Sequence, residues 1–136
     1  MIKLSMLLTV LLSLSSQADE YFCLIERVET TPNYAEHVHK MYDAMFFNKS
    51  FTVSKLTGEF KGAFDSYMIK KPQIISTGST IYPFAVNSVI KNLDPTNDDT
   101  QPLIASLHIS EFNKRKRKPF ILMINEMVYW GECKNK

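Results

Sequence analysis

Beyond residue 49, apolar and polar residues alternate with period two along most of the chain. In KSFTVSK, Phe51 and Val53 share one side while Ser50, Thr52 and Ser54 share the other, the pattern of a strand with one face in the core. Thr57-Gly58 follows as a hairpin turn, Gly58 supplying a positive φ, and Phe60 and Phe64 resume an inward face on the return strand. IYPFAVNSVI places Tyr82, Phe84, Val86 and Ile90 together, and LIASLHISEF does the same for Leu103, Ala105, Leu107 and Ile109. In PFILMINEMVYW the residues Phe120 to Met123 are apolar at every position, which predicts a central or doubly covered strand. Strict alternation puts Glu126 on the side of Phe120, Leu122 and Ile124, so a partly buried carboxylate is expected there, a candidate functional acid.

One segment departs from this period. Between Thr30 and Lys49, Tyr34, Val38, Met41, Tyr42, Met45 and Phe46 recur at helical spacing, and Asn33 with Glu36 three positions later matches a capping box. A single amphipathic helix of about three turns is predicted, lying across the sheet or plugging one end of a barrel. The whole pattern describes a mainly β domain, an antiparallel small barrel or sandwich of about seven to eight strands with one short helix. NLDPTNDDTQP is a polar loop between two of the strands.

The first residues follow neither period. Lys3 precedes an apolar run from Leu4 to Leu14, then Ser15, Ser16, Gln17 and Ala18. The run is too short to span a hydrocarbon core of about 30 Å and has the layout of a secretory signal, with cleavage expected before Asp19. Residues 1–18 are therefore expected to be removed, leaving 19–136 as a single β domain in the periplasm or outside the cell. Lipidation is excluded at Cys23, because Glu20-Tyr21-Phe22 lacks the small residues such a site requires. In an oxidising compartment the chain's two cysteines, Cys23 and Cys133, form one disulfide joining the N- and C-terminal strands. Such a pair makes neither a CxxC redox site nor a zinc site.

Candidate chemistry is sparse. His37 and His39 converge on an ion only if their segment is a strand; on a helix they diverge by about 200 degrees, so no metal is expected. His108 lies on the polar face between Ser106 and Ser110, whose spacing of about 7 Å along a strand is too long for a catalytic contact. Asp94, Asp98 and Asp99 crowd one loop that lacks the glycine and terminal glutamate of a calcium loop. Asn48-Lys49-Ser50 is a formal glycosylation sequon. No catalytic or cofactor motif emerges, and the expectation is a binding protein without enzymatic activity or cofactor.

The charge distribution is more informative. Lys114, Arg115, Lys116, Arg117 and Lys118 are consecutive in a chain whose formal charge is only +2. Without this run and Lys3, acids outnumber bases, so the positive potential is concentrated at one place, unlike that of a uniformly basic nucleic-acid binder. Flanking strands place the run at a hairpin tip, where it is a candidate contact for an anionic partner: lipopolysaccharide phosphates, extracellular nucleic acid or an acidic protein face. Nine phenylalanines and six tyrosines also raise the alternative of a carrier with an apolar ligand in the barrel.

YFCLIERV, FTVSKLTGEFKG, EFNKRKRKPF and the closing WGEC together resemble small secreted gammaproteobacterial proteins of unassigned function, over Tyr21 to Cys133. The resemblance implies an export compartment and a fold, and no catalytic residues. The YFC and WGEC frame is also similar to that of periplasmic C-type lysozyme inhibitors, compact disulfide-closed barrels. That likeness implies a second use for the cationic loop, entry into the acidic cleft of a cell-wall hydrolase.

Overall fold

The computed structural model describes residues 19–32, 34–65, 69–90 and 103–136. Among these residues eight strands form one antiparallel sheet: β1 (Glu20–Thr30), β2 (Ser50–Ser54), β3 (Phe60–Gly62), β4 (Ile69–Thr77), β5 (Phe84–Ile90), β6 (Leu103–Ile109), β7 (Lys118–Ile124) and β8 (Met127–Asn135), in the spatial order β3-β2-β1-β8-β7-β6-β5-β4. The third of the seven pairings in that order joins the first strand to the last, and the sheet curls into a nearly closed barrel. Its unpaired edges are β3 and β4. Side chains bridge that gap: a Cβ added to Gly58, in the β2–β3 turn, would lie 3.3 Å from Pro72 Cβ and 3.4 Å from Ile74 Cγ1 of β4.

The alternation read from the sequence is the alternation of inside and outside. Phe51 and Val53 of β2, Phe84, Val86 and Ile90 of β5, and Ala105, Leu107 and Ile109 of β6 are all buried. Rings from across the barrel fill its interior: Phe51 meets Phe120 edge to face at 5.2 Å, and Tyr21 meets Phe84 at 5.2 Å. This packing occupies the space that an apolar ligand would need, so the carrier alternative has no support among the described residues. Cys23 and Cys133 are directly opposite in the β1–β8 register and are disulfide-bonded, both buried inside the wall.

The helix α1 (Glu36–Phe46) connects β1 to β2. It plugs one end of the barrel through Phe46, whose ring stacks on Phe64 at 5.3 Å and meets Tyr129 at 5.1 Å. Backbone pairing resumes at once, as Asn48 N–H donates to Ile25 C=O and Ile25 N–H to Lys49 C=O, each at 2.9 Å. Two details differ from the sequence reading. The helix starts at Glu36 after Ala35, which makes no side-chain cap, so Glu36 is the first helical residue and not the third of a capping box; Asn33 lies outside the described residues. Met41 and Met45 are about half exposed, because an 11-residue helix across a barrel mouth rests on it by its C-terminal end.

Two expectations about strand faces also fail, each for a local reason, and a third, for β7, is met in part. β7 is central, paired with both β6 and β8, but not doubly covered: Phe120, Leu122 and Ile124 are buried while Ile121 and Met123 reach solvent, nothing among the described residues packing on the outer wall there. Glu126 is exposed and not partly buried, because Ile124 and Met127 pair and leave Asn125-Glu126 as a two-residue turn, with Asn125 at φ 55°; there Glu126 accepts a hydrogen bond from the Thr31 hydroxyl at 3.3 Å. Tyr82 precedes β5 in a bend and is exposed, so it does not share the face of Phe84.

Candidate functional site

Antiparallel strands that alternate in direction gather their loops at two ends. The β2–β3, β4–β5 and β6–β7 loops share an end with the start of β1 and the close of β8, where Tyr21 pairs with Asn135. The helix and the β7–β8 turn occupy the other.

The run Lys114–Lys118 lies in the β6–β7 connection, as its flanking strands predict. The turn contains no glycine and is shaped by side chains instead. Asn113 N–H donates to Ser110 C=O at 3.0 Å, and the Asn113 side-chain oxygen accepts from Arg115 N–H at 3.0 Å, an Asx turn. Lys118 belongs to β7 and turns its ammonium back into the loop, donating to the carbonyls of Glu111, at 3.3 Å, and Asn113. Its charge thus neutralises backbone dipoles, while Lys114, Arg115, Lys116 and Arg117 point outward and are exposed. Among the described residues no carboxylate pairs with any of these four.

The base of the loop is fastened to the barrel. Tyr21, buried at the start of β1, donates its hydroxyl hydrogen bond to the Glu111 carboxylate. Burial first, then the bond and the negative charge of Glu111, raise the Tyr21 pKa above its ordinary value of 10.0. Gly78, at φ +82°, closes over the same carboxylate: a Cβ there would be 2.9 Å from Glu111 Cγ. The sign of the resulting pH dependence follows from linkage. A phenol that keeps its proton in the folded state but loses it above about pH 10 when unfolded stabilises the fold below that pH, and the stability is lost as pH rises beyond it. Tyr21→Phe is therefore expected to lose about 1–3 kcal/mol at neutral pH, by leaving a half-buried carboxylate short of a donor, and to flatten the alkaline decline. Urea unfolding of both proteins across this pH range tests it; parallel declines would show that Tyr21 keeps no proton in the fold.

Other cations join this end from distant parts of the sequence. The Lys55 ammonium lies 4.5 Å from the Tyr21 ring centroid and donates to the Asn135 side-chain oxygen, Lys134 lies 5.5 Å from the Phe22 ring centroid, and Lys136 pairs with Glu20 at 3.5 Å. None of them stands out in the sequence, since each is an isolated lysine until the topology collects them. Arg117 reaches the outer wall, where with Phe22, Leu24, Glu132, Cys133 and Lys134 it lines a shallow cleft of about 100 Å³. A larger cleft of about 290 Å³ opens where the β1–β8 register slips by one residue between Ile25 and Arg27, lined among others by Glu26, Trp130 and Glu132.

The remaining sequence candidates do not form a site. His37 is exposed and His39 half-buried on the helix, and His108 is exposed on β6, with Ser106 donating to Asn87 and not to histidine. Asp94, Asp98 and Asp99 lie outside the described residues, as does the segment 1–18. Among the described residues no three His, Cys, Asp or Glu side chains cluster as a metal site, and no helix is long and apolar enough to cross a membrane. Compared with models of known families, with curated proteins and with solved structures, the chain matches none.

Proposed function

We propose that the chain is an exported, non-enzymatic binding module whose basic loop contacts an anionic partner in the cell envelope or outside it. The observation that carries the reading is the group Lys114, Arg115, Lys116 and Arg117, exposed and without carboxylate partners among the described residues, on a turn held by Asn113 and Lys118. A loop that needed only to stay solvated would not require this bracing. Export is supported by the buried disulfide and by β1, which begins at Glu20, just beyond the expected cleavage point.

Titration with inorganic polyphosphate tests the reading. The logarithm of affinity is expected to fall with the logarithm of salt, with a slope of about −3 if the four side chains each meet a phosphate. The variant with all four changed to glutamine is expected to lose most of the binding and the slope. Binding indifferent to salt, or retained by that variant, would refute the reading.

The barrel also favours one second use. A cationic loop braced on a disulfide-closed wall is suited to entering a cleft lined by catalytic carboxylates, as in an inhibitor of a lysozyme-like glycosidase. That use requires a stoichiometric complex with the hydrolase, abolished by the same four substitutions.

A further inference from the structure

The basic end of the barrel also carries the two most exposed large apolar side chains among the described residues, Leu56 and Ile81, together with Tyr82 and Phe112. Leu56 at the tip of the β2–β3 loop is 73% exposed, Ile81 and Tyr82 in the β4–β5 loop are 71% and 61% exposed, and Phe112 in the β6–β7 loop is 47% exposed. Formed turns hold them there. Leu56 and Thr57 N–H donate to Ser54 Oγ at 3.2 and 3.1 Å, and Ile81 and Tyr82 N–H donate to Ser79 Oγ at 3.2 and 3.0 Å. The loops are neighbours: Gly78 packs against Glu111, and Glu111 is bonded to Tyr21, over whose ring Lys55 lies. Apolar tips and the cations Lys55 and Lys114 to Arg117 therefore share one end. The opposite end also exposes apolar residues, Met41, Met45 and Phe47, but sets them among mixed charge, Glu29, Glu36, Asp43 and Glu126 with Lys40, Lys49 and Lys70, and not beside an unbalanced run of cations.

We propose that this end seats on a bilayer surface containing anionic phospholipid, with Leu56, Ile81, Tyr82 and Phe112 entering the headgroup boundary and Lys114, Arg115, Lys116 and Arg117 meeting phosphates. The inference rests on the reading of the basic loop as an anion contact and adds the partner's second property, an apolar layer beneath the charge. A soluble polyanion satisfies the cations and leaves four apolar side chains in water. A protein face requires one contiguous patch, whereas these residues stand on three separate loops. A fluid interface accommodates each tip separately, and its binding strength sums buried apolar area and attraction to anionic headgroups. Tyrosine is suited to the headgroup level.

The test is co-flotation of the chain from Asp19 onward with phosphatidylcholine vesicles, with and without phosphatidylglycerol. Binding is expected only when phosphatidylglycerol is present. Changing the four basic residues to glutamine is expected to weaken it by about two to three orders of magnitude at low salt, and changing Leu56, Ile81, Tyr82 and Phe112 to serine by about two orders. Ile81→Trp gives an emission probe at the loop tip, expected to shift to the blue on the anionic vesicles. Because all eight side chains are exposed, circular dichroism of each variant is expected to match that of the parent. Binding that survives the four serines, or binding with no shift of the probe, would mean adsorption by charge alone and would overturn the proposal. No vesicle binding, with polyphosphate binding still dependent on the basic residues, would overturn the membrane and leave the anion site standing. Loss of dependence on the basic residues in both assays would remove both.

Discussion

Replacing Cys23 and Cys133 together by alanine is expected to lower the stability of the fold by about 4 to 5 kcal/mol, the chain-entropy value for a loop of about this length. The bond joins residues 110 apart in sequence, so in the unfolded chain it closes nearly the whole domain into a ring. In the folded state the two positions face each other in the β1–β8 register, which joins the two ends of the chain inside the sheet. Alanine is the right replacement, because both sites are buried and serine would add an unsatisfied hydroxyl. Since domains of this kind are stable by only about 5 to 15 kcal/mol, the variant should be marginal, its urea midpoint lower by roughly 2 M. The unmodified protein unfolded in reductant should show the same loss. Burial further implies that reduction waits for the bond to become exposed, so its rate in native buffer should follow opening. A loss below about 1 kcal/mol would mean that the ring entropy is offset elsewhere in the unfolded ensemble.

The fold was legible wherever one face of a strand was wet. β2, β5 and β6 alternate because they form a wall with core on one side and water on the other, and their buried sets can be read directly from Phe51 to Ile109. β4 gave no such signal. Lys71, at φ 50°, and Pro72 sit where the register with β5 slips between Lys70 and Gln73, and a proline with a bulge is tolerated there because β4 is an edge strand. β7 misled in the opposite way, since Ile121 and Met123 are apolar yet face out. Their partners on β8 are apolar as well, Ile121 opposite Trp130 and Met123 opposite Val128, while on the β6 side they face His108 and Ser106. Pattern alone cannot separate a strand covered twice from a strand whose outer face is apolar and wet. Glu126 failed for a related reason, because alternation extrapolated through Asn125 continues a strand that in fact reverses there.

The candidate site was legible as charge and illegible as construction. Five consecutive cations between two apolar strands locate a hairpin tip from sequence alone. What sequence could not assign was the division of labour within them: Lys118 satisfies the carbonyls of Glu111 and Asn113, and its four neighbours remain free to act on something else. The cost of a glycine-free turn with five like charges is reduced by that one inward ammonium. Nor does any local pattern join Leu56, Ile81, Tyr82 and Phe112, which lie in three loops and become neighbours only through the up-and-down topology. Such a surface depends on the barrel staying closed, which makes the β1–β8 seam the element on which loop placement rests.

Gly131→Ala tests that seam at its tightest point. Gly131 is opposite Ile25, just before the bulge that inserts Glu26 into β1, and its φ is unremarkable, so conformational freedom is not what glycine contributes here. Space is: a Cβ would lie 1.8 Å from the Leu24 carbonyl oxygen and 2.8 Å from Phe120 Cε1. A ring can tilt away at modest cost, but a carbonyl can move only with its strand, and β1 is held to β8 by Cys23–Cys133 two residues further along. Overpacking that side chains can relieve costs about 1 to 3 kcal/mol; this contact with backbone is expected to cost about 3 kcal/mol or more, measured by urea unfolding. The double variant Gly131→Ala with Phe120→Leu separates the two contacts. If the ring were the obstacle, shortening Phe120 would restore most of the loss; the backbone argument expects no restoration and a further decrease from the smaller core residue. Amide exchange should locate the damage, with protection lost first along β1 and β8 between Ile25 and Trp130, while β5 and β6 keep theirs because no bond of their ladder is disturbed.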